Sequence, residues 1–140
     1  MNELELIEIY CRTWNTLDPS LIEAYLADDV VLDSQDVLTS LIGKSAVYDY
    51  HVKKVEAKRK TVLEYDVYAE VGHCGRQAGN SVQVLPAYES RPCSVIAQGS
   101  PQNLVGLVLL DVENDQIKKI GYCTVIPHPY SATRTGIYPE

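Results

Sequence analysis

Leu4, Ile7, Cys11 and Trp14 recur at helical spacing, with Tyr10 and Leu17 widening the stripe, and predict an amphipathic helix over Glu3–Thr16. Asp18 is placed to cap a second, short helix with Pro19 at its first position, where the missing N–H costs nothing. Leu21, Ile22, Tyr25 and Leu26 would form its inner face, and Asp28-Asp29 would close it. Val30–Ser34 reads as a strand and Val37–Ile42 as a second strand or extended segment. Gly43 breaks the chain before a third helix of about Lys44–Lys60, whose inner face carries Val47, Tyr50, His51 and Val55.

From Thr61 the period changes from helical to two. Leu63, Tyr65, Val67, Ala69 and Val71 alternate with Val62, Glu64, Asp66, Tyr68 and Glu70, as in an antiparallel strand with one buried face. The Gly and Asn content of residues 74–80 predicts a loop. Ser81–Tyr88 and Cys93–Gln98 read as weaker strands separated by a Ser-Arg-Pro turn. Leu104–Val112 is almost wholly apolar and suits a central strand covered on both faces, and Glu113-Asn114-Asp115 turns it into Gln116–Ile126 as a hairpin. The tail from Pro127 shows no period. Helices first and strands afterwards imply an α+β domain over residues 1–126 with a C-terminal extension at 127–140.

At 140 residues the chain can bury a sizeable core without disulfides or metals. Its net charge of −7 argues against nucleic acid as a partner. Lys53, Lys54, Lys58, Arg59 and Lys60 form a local basic cluster, which reads as complementing the dipole at the end of the third helix. Phenylalanine is absent while tyrosine numbers ten, so aromatic bulk comes almost always with a hydroxyl that needs a partner when buried. Cys11, Cys74, Cys93 and Cys123 lack CxxC spacing, and His51, His73 and His128 form no H-x-H or H-E-x-x-H pattern. His73 beside Cys74 is not a reactive pair, because strand neighbours point to opposite faces. No metal and no cofactor are therefore expected. An acidic amphipathic start, with no run of the ~18 apolar residues a membrane span needs, predicts a cytoplasmic protein without membrane contact.

The order of elements from Tyr10 to His51, with Ala27-Asp28-Asp29 after the second helix and Ile42-Gly43-Lys44 before the third, resembles the nuclear transport factor two-like superfamily. This group includes the SnoaL-like polyketide cyclases and ketosteroid isomerase. The resemblance implies a cystatin-like cone, in which a curved antiparallel sheet wraps three N-terminal helices around one pocket, and a homodimer formed through the outer face of the sheet. In ketosteroid isomerase a tyrosine on the first helix and a protonated aspartate hold an enolate, and a second aspartate moves the proton. Tyr10, standing before Asn15 and Asp18, matches the tyrosine. The shuttling aspartate falls on Ser34, with Asp33 one residue early and hence on the opposite strand face, and the protonated aspartate falls near the apolar Val108. One of the three roles is matched.

Two sets of candidate residues follow. Asp33, His51 and Tyr10 are the candidates for acid–base work of the cyclase, dehydratase or isomerase kind, and Trp14, Tyr50, Tyr65 and Tyr122 are those for an aromatic wall. The leading expectation is a pocket for a small, largely apolar metabolite. The alternatives are a cofactor-free enzyme built on the first set, or a non-catalytic interaction module using outer-face residues such as Glu64 or Tyr68.

Overall fold

The computed structural model describes residues 2–34, 39–61, 69–76, 82–84, 91–97, 105–125 and 134–137. The first helix, α1, spans Glu3–Thr16, as its apolar stripe predicts. Asn2 caps it by accepting from the Glu5 N–H at 2.8 Å, and Glu3 and Glu5 in the first turn suit the positive end of the dipole. Leu17 ends it in the left-handed region at φ 54°. Asn15 then ties the helix end to the sheet: its amide donates to Ala69 O at 3.0 Å and accepts from Ala69 N at 2.6 Å.

The second helix is shorter than its apolar pattern suggests. α2 covers Ser20–Glu23, with Asp18 accepting from both the N–H and the hydroxyl of Ser20. Strand β1 already begins at Leu26 and runs to Ser34, so Ala27-Asp28-Asp29 belongs to the strand instead of closing a helix. The reason lies in pairing. Tyr25 O accepts from Ile117 N at 2.7 Å and Leu26 stands beside Ile117, yet Val31 already stands beside Lys119. The chain between forms a bulge that throws Asp28 and Asp29 into solvent while Ala27 and Val30 stay buried.

β2 is Leu41–Ile42, and Gly43 follows at φ 100°, donating to Val30 O at 2.8 Å and accepting from Val47 N. Helix α3 spans Lys44–Thr61 and buries Val47, His51 and Val55, with Tyr50 half-buried beside them. The remaining strands are β3 (Ala69–Arg76), β4 (Val82–Val84), β5 (Arg91–Ala97), β6 (Val105–Glu113), β7 (Gln116–Val125) and β8 (Arg134–Ile137). Two segments expected as loops are strand. Cys74–Arg76 belongs to β3, where it pairs with β4, and Arg91-Pro92 belongs to β5. Pro92 is tolerated because the β5–β6 ladder starts only at Ser94, so its missing N–H interrupts no bond on that side.

Among the described residues the strands form one curved mixed sheet in the order β2-β1-β7-β6-β5-β3-β4, with β8 also on β3. Every junction is antiparallel except β1–β7, which is parallel. β6 and β7 meet in a two-residue turn whose Asn114 and Asp115 both have positive φ, the geometry that matches strand twist. Register assigns the faces. Leu32, Ile120, Val108, Leu110, Ser94, Ile96, Ala69 and Val71 share the face that packs against α1 and α3 in one apolar core. Glu70, Cys93, Val95, Leu107 and Leu109 are buried on the other face. β6 is thus covered on both sides, as its composition requires. No helix among the described residues is long and apolar enough to cross a membrane.

Candidate functional site

The helices leave a pocket over the inner face of the sheet, lined by Tyr10 and Trp14 of α1, Leu32 of β1, Tyr50, Lys54 and Lys58 of α3, Ile96 of β5 and Tyr122 of β7. Its empty space measures about 560 Å³ with the open mouth included. Each element contributes for a reason visible in its period. Tyr10 and Trp14 lie four apart on the buried stripe of α1, and Tyr50, Lys54 and Lys58 form one i, i+4, i+8 row of α3. Leu32 and Tyr122 have inward parity on neighbouring strands.

At the inner end His51 is fully buried and boxed by rings. The Tyr10, Trp14 and Tyr50 ring centroids lie 5.6, 6.2 and 5.5 Å from that of the imidazole. Its Nδ1 is 2.9 Å from Val47 O, one turn back on the same helix. A carbonyl only accepts, so Nδ1 carries the proton and Nε2 is an acceptor. The Tyr10 hydroxyl, 3.0 Å from Nε2, therefore donates to it. Burial pushes His51 down to about 4, with the Val47 carbonyl acting in the opposite direction. Burial likewise drives Tyr10 well above the usual tyrosine range, with the nearby Tyr50 and Tyr122 adding to the shift. Both groups are uncharged at neutral pH, and the Tyr10 proton is committed to His51.

Trp14 stands beside this pair. Its indole N–H favours the charged form of Tyr10, but makes no hydrogen bond of ordinary geometry and is sealed from solvent. The indole N–H is thus close enough to Tyr10 to act on its charge, yet lies outside hydrogen-bond geometry. Behind the wall, Cys11 donates to Ser94 Oγ at 3.2 Å, and burial pushes its thiol up to about 12. Cys11 is thus a packed core thiol.

The structure brings Tyr10 and His51 together and leaves Asp33 apart. Asp33 shares the outward parity of Val31 and Lys119, opposite to the pocket residue Leu32. Its carboxylate accepts from the Ser40 hydroxyl and pairs with Lys119 at 3.1 Å, and these two partners, Ser40 first, hold it below the usual carboxylate range. Trp14, Tyr50 and Tyr122 meet in the wall as the sequence suggests. Tyr65 lies outside the described residues, as do Glu64, Tyr68 and the side chains of His73 and Cys74. Four lining residues escaped the sequence reading: Leu32, Ile96, Lys54 and Lys58. The two lysines carried a usable signal, the four-residue spacing from Tyr50, but their neighbours Lys53, Arg59 and Lys60 made the run look like a solvated helix end.

No family model matches the sequence, and no curated protein does. Solved structures do. A candidate ketosteroid isomerase from Kribbella flavida aligns over 94% of this chain and 82% of its own, with TM-score 0.55 and 17% identity. A SnoaL-like protein of unknown function from Burkholderia thailandensis aligns over 86% of this chain and 92% of its own, with TM-score 0.55 and 19% identity. An NTF2-like protein of unknown function from Cytophaga hutchinsonii aligns over 89% of this chain and all of its own, with TM-score 0.55 and 14% identity. Identity this low conveys architecture and not activity. With its helices laid into a curved sheet and matched along most of its length by these structures, the chain has the nuclear transport factor two-like fold.

Proposed function

We propose that the protein binds a small, largely apolar metabolite in the pocket between α1, α3 and the sheet. The observation that carries this reading is the wall itself: Tyr10, Trp14, Leu32, Tyr50, Ile96 and Tyr122 surround open space that a collapsed core would have filled. The similar architecture of proteins described as SnoaL-like and as a candidate ketosteroid isomerase supports it.

Turnover is the weaker reading. A general base near pH 7 needs a pKa close to 7. Burial holds His51 at about 4, its acceptor nitrogen is occupied by Tyr10, and Asp33 faces the other way. A binding role needs none of these groups to titrate.

The test uses the single tryptophan as reporter. Because Trp14 lines the pocket, an occupant changes its emission directly. A screen of carbonyl-bearing apolar compounds, steroids and polyketide fragments among them, should give saturable emission changes matched by thermal stabilisation. A ligand at 100 times its Kd adds about 2.7 kcal/mol. Stabilisation without any change at Trp14, or no hit in a broad library, would rule the pocket out.

A further inference from the structure

The Tyr10–His51 pair gives the inner end of the pocket a fixed polarity. One turn of α3 sets it first: Val47 O, 2.9 Å from Nδ1, requires the imidazole proton there, so Nε2 offers only a lone pair. Tyr10 directs its own proton to that nitrogen at 3.0 Å. What Tyr10 can turn to the pocket it lines is therefore the remaining lone-pair side of its oxygen, which accepts and does not donate. Among the described residues no other hydrogen bond of ordinary geometry engages that oxygen. Tyr50 and Tyr122, the other tyrosines whose charge acts on this hydroxyl, line the same pocket, which places the oxygen at its wall. Trp14, its ring centroid 6.3 Å from that of Tyr10, keeps its N–H sealed from solvent and so out of an occupant's reach.

Two rearrangements would reverse this polarity, and the packing opposes both. Were Tyr10 to turn its hydroxyl toward a ligand, Nε2 would be left without a partner inside a box of three rings. Were His51 to take the other tautomer, its Nδ1 lone pair would face the Val47 oxygen at 2.9 Å. A carbonyl brought to Tyr10 thus meets lone pair with lone pair. An ammonium could donate there, but it would give up its water among Trp14, Leu32 and Ile96. A neutral hydroxyl has the donor that the site lacks and carries no charge to desolvate.

We infer that the occupant carries a hydroxyl at its buried end, donated to Tyr10 Oη, with its apolar body along Trp14, Leu32, Tyr50 and Ile96. This rests on the binding role proposed above and narrows it from apolar metabolites in general to apolar alcohols and phenols. A ketone of the same skeleton is the poorer occupant. His51 is a positioning residue: it stands behind the wall and acts by setting the direction of the Tyr10 hydroxyl.

Borneol and camphor share one carbon skeleton and differ in a hydroxyl against a carbonyl. Titrated against the intact protein with Trp14 emission as readout, borneol is expected to bind about tenfold tighter, the size of one hydrogen bond between uncharged groups. His51→Phe keeps a ring in the box but removes the acceptor, so Tyr10 is freed to donate and the preference should vanish or turn toward camphor. Equal Kd values on the unaltered protein, tighter binding of camphor, or a borneol preference that persists in the folded variant would overturn the hydroxyl assignment and leave the pocket reading standing. If neither compound perturbs Trp14, the pocket reading falls and the hydroxyl with it. Should the variant fail to fold, the borneol–camphor ratio and the nitrogen resonances of His51 in the unaltered protein decide the question. A proton on Nδ1 and a bare Nε2 are expected; a proton on Nε2 would overturn the assignment.

Discussion

Lowering the pH from 7 to 4.5 places His51 under a specific load. In the fold its imidazole is fully buried among Tyr10, Trp14 and Tyr50, and its value is about 4 against 6.5 for the free side chain. The folded state therefore resists protonation, while the unfolded chain takes up a proton as soon as pH falls below 6.5. Stability from this group is fully present above 6.5 and is lost as pH falls toward 4. Across pH 7 to 4.5 the loss amounts to about 2 kcal/mol, or roughly 5–10 °C in Tm for a domain of this size. The Asp33 carboxylate does not mimic it. Asp33 is held below its ordinary value, so its contribution is present above about 3.9 and disappears only at lower pH. Urea unfolding at pH 7, 6, 5 and 4.5 of the protein and of His51→Gln isolates the imidazole's contribution, since groups common to both cancel. At pH 7 the variant should be the less stable, having lost the ring contacts, and the gap should narrow by about 2 kcal/mol by pH 4.5. Parallel curves would refute the argument. So would an imidazole resonance, assigned by its loss in the variant, that titrates near 6.5.

Three further substitutions test other parts of the structure. A Cβ added at Gly72 would meet Val95 Cγ2 at 2.5 Å, so Gly72→Ala should cost about 1–3 kcal/mol in chemical unfolding; an unchanged midpoint would show that the outer face yields freely. Gly43 has φ 100°, where a side chain is strained, and Gly43→Ala should lower stability by about 1–2 kcal/mol through the β2–α3 junction. Asp33→Asn should leave folding within about 0.5 kcal/mol, because its half-exposed pair with Lys119 is screened by solvent, and should leave any ligand response of Trp14 unaltered. A lost response there would return Asp33 to the site.

The amino-acid sequence by itself determined the elements with a strong period and the faces they bury. Ile7, Tyr10, Cys11 and Trp14 on α1, and Val47, His51 and Val55 on α3, turn inward because apolar residues three and four apart have one place to go in a folded chain, whereas Leu4 of the expected stripe is exposed at the helix start and Leu6 is buried in its stead. The β6–β7 hairpin was equally legible, since an apolar run followed by Asn114-Asp115 marks the turn, although the ladder shifts register between Asp111 and Val112. Strand parity alone placed Asp33 on the face opposite Ser34. Periodicity is a local property, and these features are local. Tertiary structure decided what depends on a distant partner. Ala27-Asp28-Asp29 became a bulged strand because Ile117, far along the chain, offered a parallel neighbour. The Tyr10–His51 hydrogen bond joins residues 41 apart, and it settles the tautomer, the depressed value and the neutrality of both groups. Lys54 and Lys58 look, in sequence, like any charged helix end. Only the sheet closing opposite α3 turns their row from a solvated face into the wall of a pocket, because whether a charge meets water or a cavity depends on what packs across from it.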